Sequence, residues 1–289
     1  MKYLIVSEGK IFAQLAKPLI QELERFDVRG EVVHLALDKK KVSKSVKDFQ
    51  PDLLIAVGSL KMSSILELAK KRKINSCFFY HSLFDKNPRG DIQKFEKSRI
   101  YRDIPINENG NGSLVFDFVR KVDIETVDRK KPLISIVSGK VSKSSVQLSR
   151  KLISKSDSIE FQLINASNDL QEAVRKLSNA NAVIATDPFS NMLAVFCNCP
   201  AINVYEKSIF SSTPNEKSII NRLINKEVVK SYPKSKDLLI LNELDRILND
   251  HQYSAGMMDD YQNLKSKIGA QPFVRNVSRE IVDWLEDLD

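Results

Sequence analysis

No apolar run in the chain approaches the roughly 20 residues needed to cross a bilayer, which argues against a membrane-spanning helix. The N-terminus, MKYLIVSEGK, has a short apolar core, but Glu8 and Lys10 cut it off and no small-residue cleavage site follows, so it reads as a first strand and not a signal peptide. Cysteine is scarce and odd in number. Cys197 and Cys199 stand too close for an ordinary structural bridge, Cys77 is left over, and no His cluster accompanies them to suggest zinc. A reducing cytoplasm is the compartment expected. Hydrolase signatures are missing as well: there is no Gly-x-Ser-x-Gly and no paired-His metal spacing. Ser138-Gly139-Lys140 is not a Walker A loop, because no glycine stands five residues before Gly139.

What is present is a chain of 289 residues, long enough for about two domains, with 42% hydrophobic and 28% charged residues, ordinary for a globular protein. The net charge is +8. Much of the excess lies in runs: Lys39–Lys41 with Lys44 and Lys47, Lys70–Lys73, Arg129–Lys131, and Lys140, Lys143, Arg150 and Lys151. Such runs either attract phosphates, nucleic acid or anionic membrane, or reflect a lysine-rich composition with no anionic partner. No aromatic residues interleave with them as a platform for single-stranded nucleic acid requires, so nucleic acid is not an expected partner.

One stretch organises the rest, Asn181 to Tyr205: NAVIATDPFSNMLAVFCNCPAINVY. It reads as a buried strand (Ala182–Ala185), a polar turn (Thr186, Asp187, Pro188), a short apolar helix (Ser190–Phe196), a turn at Pro200 and a second buried strand (Ala201–Tyr205). Short apolar runs separated by a short helix suit a parallel sheet covered on both faces. In open α/β sheets ligands bind beyond the carboxyl ends of strands, where helix N-termini point. Thr186, Asp187, Ser190 and Asn191 fall there, either as ligand contacts or only as the cap and turn of the helix.

Taken in order, Lys2–Val6 reads as a strand and Ile11–Phe26 as an amphipathic helix that Pro18 kinks or breaks. Strands follow at Val32–Leu37, Asp52–Val57 and Ser76–Tyr80, with a helix over Lys61–Arg72. The pattern weakens from His81 to Gly112, and Leu114–Val119 reads as another strand. Asp123–Lys131 is polar and marks the boundary, dividing the chain into 1–126, 127–273 and a C-terminal helix, 274–289, that packs back on the first domain. A second cycle then runs through a strand at Leu133–Val137, a helix over Ser142–Ile153, a strand at Ile159–Ile164, a helix over Asp169–Leu177 and the organising stretch. Beyond Tyr205 we expect a helix over Glu216–Asn225, irregular chain to Lys236, a strand at Asp237–Leu241, and helices over Glu243–Asp250, Ala255–Ile268 and Val274–Leu288, with Trp284 as a packing anchor. Alternating strands and helices with short turns predict an α/β fold of parallel, doubly wound sheets.

This plan, two Rossmann-like domains and a helical tail, resembles the GT-B glycosyltransferases. AVIATDPFSNMLAVFCNCPAINVYEKS, SIINRLINKEVVKSYPKSKD and MMDDYQNLKSKIG with NVSREIVDWL resemble the C-terminal third of lipid-A-disaccharide synthase. The match is specific over about Ala182–Leu285 and looser before it. Departures fall on the motifs. Met192 stands near the family's donor-loop acid, Gly58, Ser59 and Lys61 stand where it has Asp residues, HSLFDKNPRG replaces its Trp-Ala-Trp segment, and its Leu-Pro-Asn turn reads Tyr232-Pro233-Lys234. PDLLIAVGSLKMSSILELAKK and ATDPFSNMLAVFCNCPAINVYE are also similar to GT-B-shaped bacterial proteins named for their likeness to a mitochondrial-fission factor.

The resemblance implies a cytoplasmic glycosyltransferase, possessing no metal or separate cofactor, that moves a sugar from a UDP-sugar to an anionic lipid at the inner membrane face. Ser138, Gly139, Lys140, Thr186, Asp187, Ser190, Asn191 and Tyr205 would hold the nucleotide-sugar, with Lys140 a point charge in place of a family Arg. Candidates for the base are Glu8, His81 and Asp85, of which Glu8 and His81 are carried forward. Each has a plainer reading: Glu8 favours a helix N-terminus, His81 is structural or exposed, and Tyr205 is an aromatic at the core edge. The partners expected are a nucleotide-sugar, an anionic lipid or inner-membrane surface, and a second copy of the chain as a homodimer. The alternative is a GT-B-like chain without catalysis that serves as a binding or assembly protein.

Overall fold

The computed structural model describes residues 2–26, 32–81, 99–103, 112–139, 142–206, 218–269 and 272–287. The chain forms two compact units, Met1–Phe118 with Ile268–Asp289, and Val119–Lys267.

The first unit contains β1 (Tyr3–Ser7), α1 (Gly9–Leu15), α2 (Lys17–Arg25), β2 (Val32–Ala36), α3 (Lys39–Phe49), β3 (Leu53–Gly58), α4 (Ser63–Arg72), β4 (Asn75–His81) and β5 (Arg99–Asp103). Its five strands form one parallel sheet in the order β2-β1-β3-β4-β5. The apolar runs of β1 and β3 are buried at every position, as a sheet covered on both faces requires. On one face Leu4, Val6, Leu54, Ala56, Phe78 and Tyr80 pack against Val42 and Val46 of α3 and Ile65, Leu66 and Ala69 of α4. On the other face Phe79 stacks on Tyr101 at 5.1 Å and meets Phe273 edge-on at 6.3 Å. Phe273 opens α12 (Phe273–Glu286), which belongs to this unit and packs on α2. The Arg99 guanidinium lies 5.1 Å from the ring of Trp284.

The chain leaves the first unit within α5 (Leu114–Arg120) and builds β6 (Leu133–Ser138), α6 (Lys143–Ile153), β7 (Glu160–Asn165), α7 (Leu170–Ser178), β8 (Ala182–Ala185), α8 (Pro188–Phe196), β9 (Ala201–Tyr205), α9 (Ile219–Ile224), β10 (Ser231–Pro233), α10 (Asp237–Asn249) and α11 (His251–Gly269). The second sheet is also parallel, ordered β10-β9-β8-β6-β7. Counted from the first strand of its own unit, each sheet has the doubly wound order 2-1-3-4-5. Its switch points therefore lie between β1 and β3 and between β6 and β8. The α/β fold with two Rossmann-like, parallel-sheet units is thus observed as expected.

Several local expectations are corrected. Leu114–Val119 is not a strand but the helix α5, capped by the Ser113 hydroxyl, which accepts from Phe116 N at 3.2 Å. Five of its first six residues are buried, and a short apolar run buried nearly all round shows no period by which to tell helix from strand. Asp237–Leu241 is the start of α10, where Ile240, Leu244 and Ile247 form the buried stripe while Leu238 and Leu239 are exposed. Chain expected to be irregular contains β10, which pairs with β9. By contrast, the break expected at Pro18 is observed: the chain divides at Ala16, with Pro18 in the first turn of α2 where its missing N–H has no helical partner to lose. The lysine run from Lys39 was read only as charge, yet it opens α3, whose N-cap Asp38 accepts from Lys40 N and Lys41 N.

Candidate functional site

At the switch point of the second sheet, β6 runs into Ser138 and Gly139 while β8 runs into Thr186 and Asp187. Thr186 extends the strand pairing, donating both its N–H (3.1 Å) and its hydroxyl (3.0 Å) to the Val137 carbonyl. Asp187 is the N-cap of α8 with extended backbone, and Pro188 follows in the first helical turn. Its Oδ1 accepts from Ser190 N at 2.8 Å. Its Oδ2 accepts from the Ser190 hydroxyl at 2.9 Å and from Gly139 N at 2.7 Å. A carboxylate thus occupies the N-terminal end of α8 and joins it to the turn after β6.

Behind this cap runs a buried polar row. Asn191 Nδ2 donates to the Asp187 carbonyl at 3.3 Å and to Asn203 Oδ1 at 2.7 Å, and Asn203 Nδ2 donates to the Ser231 hydroxyl at 3.1 Å. Asn191 Oδ1 is buried without a hydrogen-bond partner among the described residues. Tyr205 ends β9 half-buried, and its carbonyl accepts from Lys234 N at 3.0 Å, while Lys234 Nζ reaches Glu206 Oε1 at 2.8 Å. The structure therefore gathers Gly139, Asp187, Ser190 and Asn191 into one bonded group, with Ser138 and Thr186 on the adjoining strand ends. Lys140 and Asp85 lie outside the described residues. Asn203 and Ser231 were not singled out from sequence, although an amide within the buried strand AINVY was the visible signal.

The first sheet carries a comparable arrangement. Glu8 follows β1, and its Oε2 accepts from the backbone N–H of Ser59 at 2.8 Å and from the Ser59 hydroxyl. Lys61 Nζ stands 3.2 Å from Oε1. Gly58 permits this approach: its φ is +154° and an added Cβ would lie 2.7 Å from Glu8 Cβ. Burial pushes the Glu8 carboxyl up, but the Ser59 hydrogen bonds and the Lys61 charge outweigh it and hold the pKa below the ordinary value. A carboxylate so held is a weak proton acceptor at neutral pH. His81 is the last residue of β4, opposite Asp103 in the register with β5.

At the far end of α8, Asn198 adopts a left-handed conformation (φ 55°), and its Oδ1 accepts from Gln262 Nε2 at 2.9 Å and from Lys265 Nζ. Lys265 is buried, and loss of hydration lowers its pKa from 10.5 to about 8. The thiols of Cys77 and Cys197 are buried and pushed up to about 12, which leaves them poor nucleophiles. Among the described residues no group of acids, histidines and cysteines has the makings of a metal site. No described helix is long and apolar enough to cross a membrane. Elsewhere in the second unit, a groove of about 610 Å³ along α7 is lined by Asp123, Glu125 and Glu172 against Arg129, Arg175 and Lys176, a balance that selects no ligand charge.

Two Rossmann-like parallel-sheet units place the chain in the GT-B-like fold class. Among solved structures it is similar to the UDP-GlcNAc 2-epimerase of Methanocaldococcus jannaschii in complex with UDP-GlcNAc and UDP (TM-score 0.66, 12% identity, 98% of this chain and 99% of that one). It is also similar to S. aureus MnaA in its UDP co-structure (TM-score 0.67, 11% identity, 100% and 98%). Acinetobacter baumannii MurG follows at TM-score 0.54, 12% identity, 99% and 100%. At such identities the likeness establishes the fold. No protein-family profile matches the chain, and no curated protein does.

Proposed function

We propose that the chain binds a UDP-sugar at the carboxyl edge of its second sheet and acts as a glycosyltransferase toward a lipid acceptor, in the manner of lipid-A-disaccharide synthase. The observation that carries this reading is the meeting of the β6 turn with the N-terminus of α8 at the β6/β8 switch point, the place where open α/β sheets take nucleotide ligands. The structural neighbours in complex with UDP-GlcNAc and UDP support the same ligand class. In this reading Ser138, Gly139 and Lys140 face the diphosphate. Asp187, already an anion, receives sugar or ribose hydroxyls and not phosphate, since like charges repel. Ser190, Asn191, Thr186 and Tyr205 complete the nucleotide side. Of the two candidate bases, Glu8 is held ionised and is a weak proton acceptor, which leaves His81 as the base in this reading.

A second reading, a GT-B-like binding or assembly protein without turnover, is favoured by one observation: the carboxylates at both switch points already accept from neighbouring donors. Calorimetry with UDP and UDP-GlcNAc, on wild type and on the Lys140→Ala, Ser190→Ala double variant, separates the two. Heat that the double variant loses supports the nucleotide site; no heat at high nucleotide concentration sinks it. Chromatography of incubated UDP-GlcNAc then distinguishes a transferred sugar from a rearranged one.

A further inference from the structure

We infer that the open edge of β7 is an interface at which a second copy of the chain pairs antiparallel, joining two five-stranded sheets into one. β7 is bonded along one side only, to β6. Glu160 N donates to the Pro132 carbonyl at 2.9 Å and Ala166 N to the Ser138 carbonyl at 3.0 Å, so the even-numbered residues of the strand face β6. Phe161, Leu163 and Asn165 therefore turn their N–H groups outward, and among the described residues no acceptor meets them. Such an edge is a template for another strand, and proteins guard it with short strands, proline or charge. β10 has three residues and ends in Pro233, and β5 reads RIYRD. β7 has six residues, EFQLIN, with no proline, lysine or arginine.

Exposed apolar surface gathers around the same edge. Among the described residues every exposed large hydrophobic side chain belongs to the second unit: Ile124, Val127, Ile153, Leu163, Leu238 and Leu239. Leu163 stands on β7 itself. Ile153 is on α6, which packs on β7, and Lys155 pairs with Asp237, which sets Leu238 and Leu239 of α10 beside the end of α6. The crossovers through α6 and α7 run in opposite directions from β7, so these helices cover opposite faces of the sheet. Ile124 and Val127 lie on the α7 side, where Asn179 holds Val127 N at 2.9 Å and the Glu125 carbonyl at 2.8 Å. The edge is thus bordered by apolar groups on both faces.

A second copy fits this edge better than a foreign strand. With a two-fold axis at Leu163, antiparallel pairing sets Leu163 against Leu163 and Phe161 against Asn165 of the other copy, so every outward N–H meets a carbonyl. The same operation lays the two α7 helices antiparallel. α7 is acidic at its start, with Asp169 and Glu172, and basic at its end, with Arg175 and Lys176. Glu172 then faces Arg175 of the other copy, and opposite charges meet at both ends. One operation matches backbone, apolar groups and charge, which a strand without α7 cannot do. The interface is independent of the nucleotide reading.

Sedimentation velocity of the full chain over a concentration series tests this, together with amide exchange at β7. A dimer is expected, with the Phe161, Leu163 and Asn165 amides exchanging more slowly as it fills. Leu163→Lys opposes two ammonium groups at the axis and should raise the dissociation constant about a hundredfold or more, at an unchanged melting temperature. Arg175→Glu should also weaken the dimer, and adding Glu172→Lys should restore it, because the facing charges are then exchanged. That pair on the helix surface decides the matter if Leu163→Lys fails to fold. A chain still monomeric at about 100 μM overturns the proposal. So does a folded Leu163→Lys variant that dimerises like wild type, or a dimer whose β7 amides exchange as fast as the monomer's.

Discussion

Gly139 donates its backbone N–H to the Asp187 carboxylate at 2.7 Å, tying the end of the first strand of the second sheet to the helix after its third. In the first sheet Glu8, after the first strand, accepts from Ser59, after the third. Each switch point is thus bridged by one carboxylate, supplied from opposite sides of the junction.

Asp187→Asn should keep the α8 cap, since asparagine caps as well as aspartate, while removing the charge from the helix end. We expect a small change in melting temperature and tighter binding of UDP or inorganic phosphate by calorimetry. Asp187→Ala should cost about 1 kcal/mol or more in urea denaturation, because Gly139 N and Ser190 N both lose their acceptor. Weaker phosphate binding by the asparagine variant would mean that the charge itself serves the ligand.

Acid should loosen the first unit through Glu8. Its folded pKa lies below the ordinary 4.5, so its stabilisation is complete above that value and is lost as pH falls through the lower, folded value. Urea midpoints measured through the acid range should fall more steeply for wild type than for Glu8→Gln. Gly58→Ala should cost about 1–3 kcal/mol at every pH, because the new Cβ meets Glu8 Cβ.

Lys265 acts in the alkaline direction. Its folded pKa, about 8, lies below the unfolded value of 10.5, so the unfolded chain binds more protons between the two. Stability should therefore rise with pH across that window, by roughly 1–3 kcal/mol in total. Lys265→Met should stabilise the chain at neutral pH and flatten the slope, as read by thermal melts in alkaline buffers.

Glu243 is buried and accepts from the Tyr232 hydroxyl at 3.0 Å and the Tyr253 hydroxyl at 2.5 Å, fastening β10 and α11 to α10. Glu243→Ala strands both hydroxyls and should cost about 2–4 kcal/mol in denaturant unfolding. Tyr232→Phe, Tyr253→Phe and Glu243→Leu combined should recover part of the loss, since the polar group and its partners go together.

The strands most legible in the sequence were the central ones, because a buried parallel strand is a short apolar run bounded by turn residues, as in Leu133–Val137 and Ala182–Ala185. β5 and β10 were missed because they are edge strands, written RIYRD and SYP, with little apolar character. α3 hid behind its lysines, since only Val42 and Val46 mark its inward side. The Asp187 cap could be read from the Asp-Pro pair before an apolar helix. Its bond to Gly139 could not, because 48 residues separate the partners and only the strand order brings them together. The same holds for Glu8 and Ser59.

The return of α12 to the first unit has a consequence for synthesis. Every residue of Val119–Lys267 is translated before Phe273, so the second sheet can close while the first still shows an apolar face around Phe79 and α2. The half made first is thus the half finished last. A stalled or clipped chain ending near residue 268 would carry its sticky surface on the N-terminal half, which is where a chaperone or a quality-control protease would take hold.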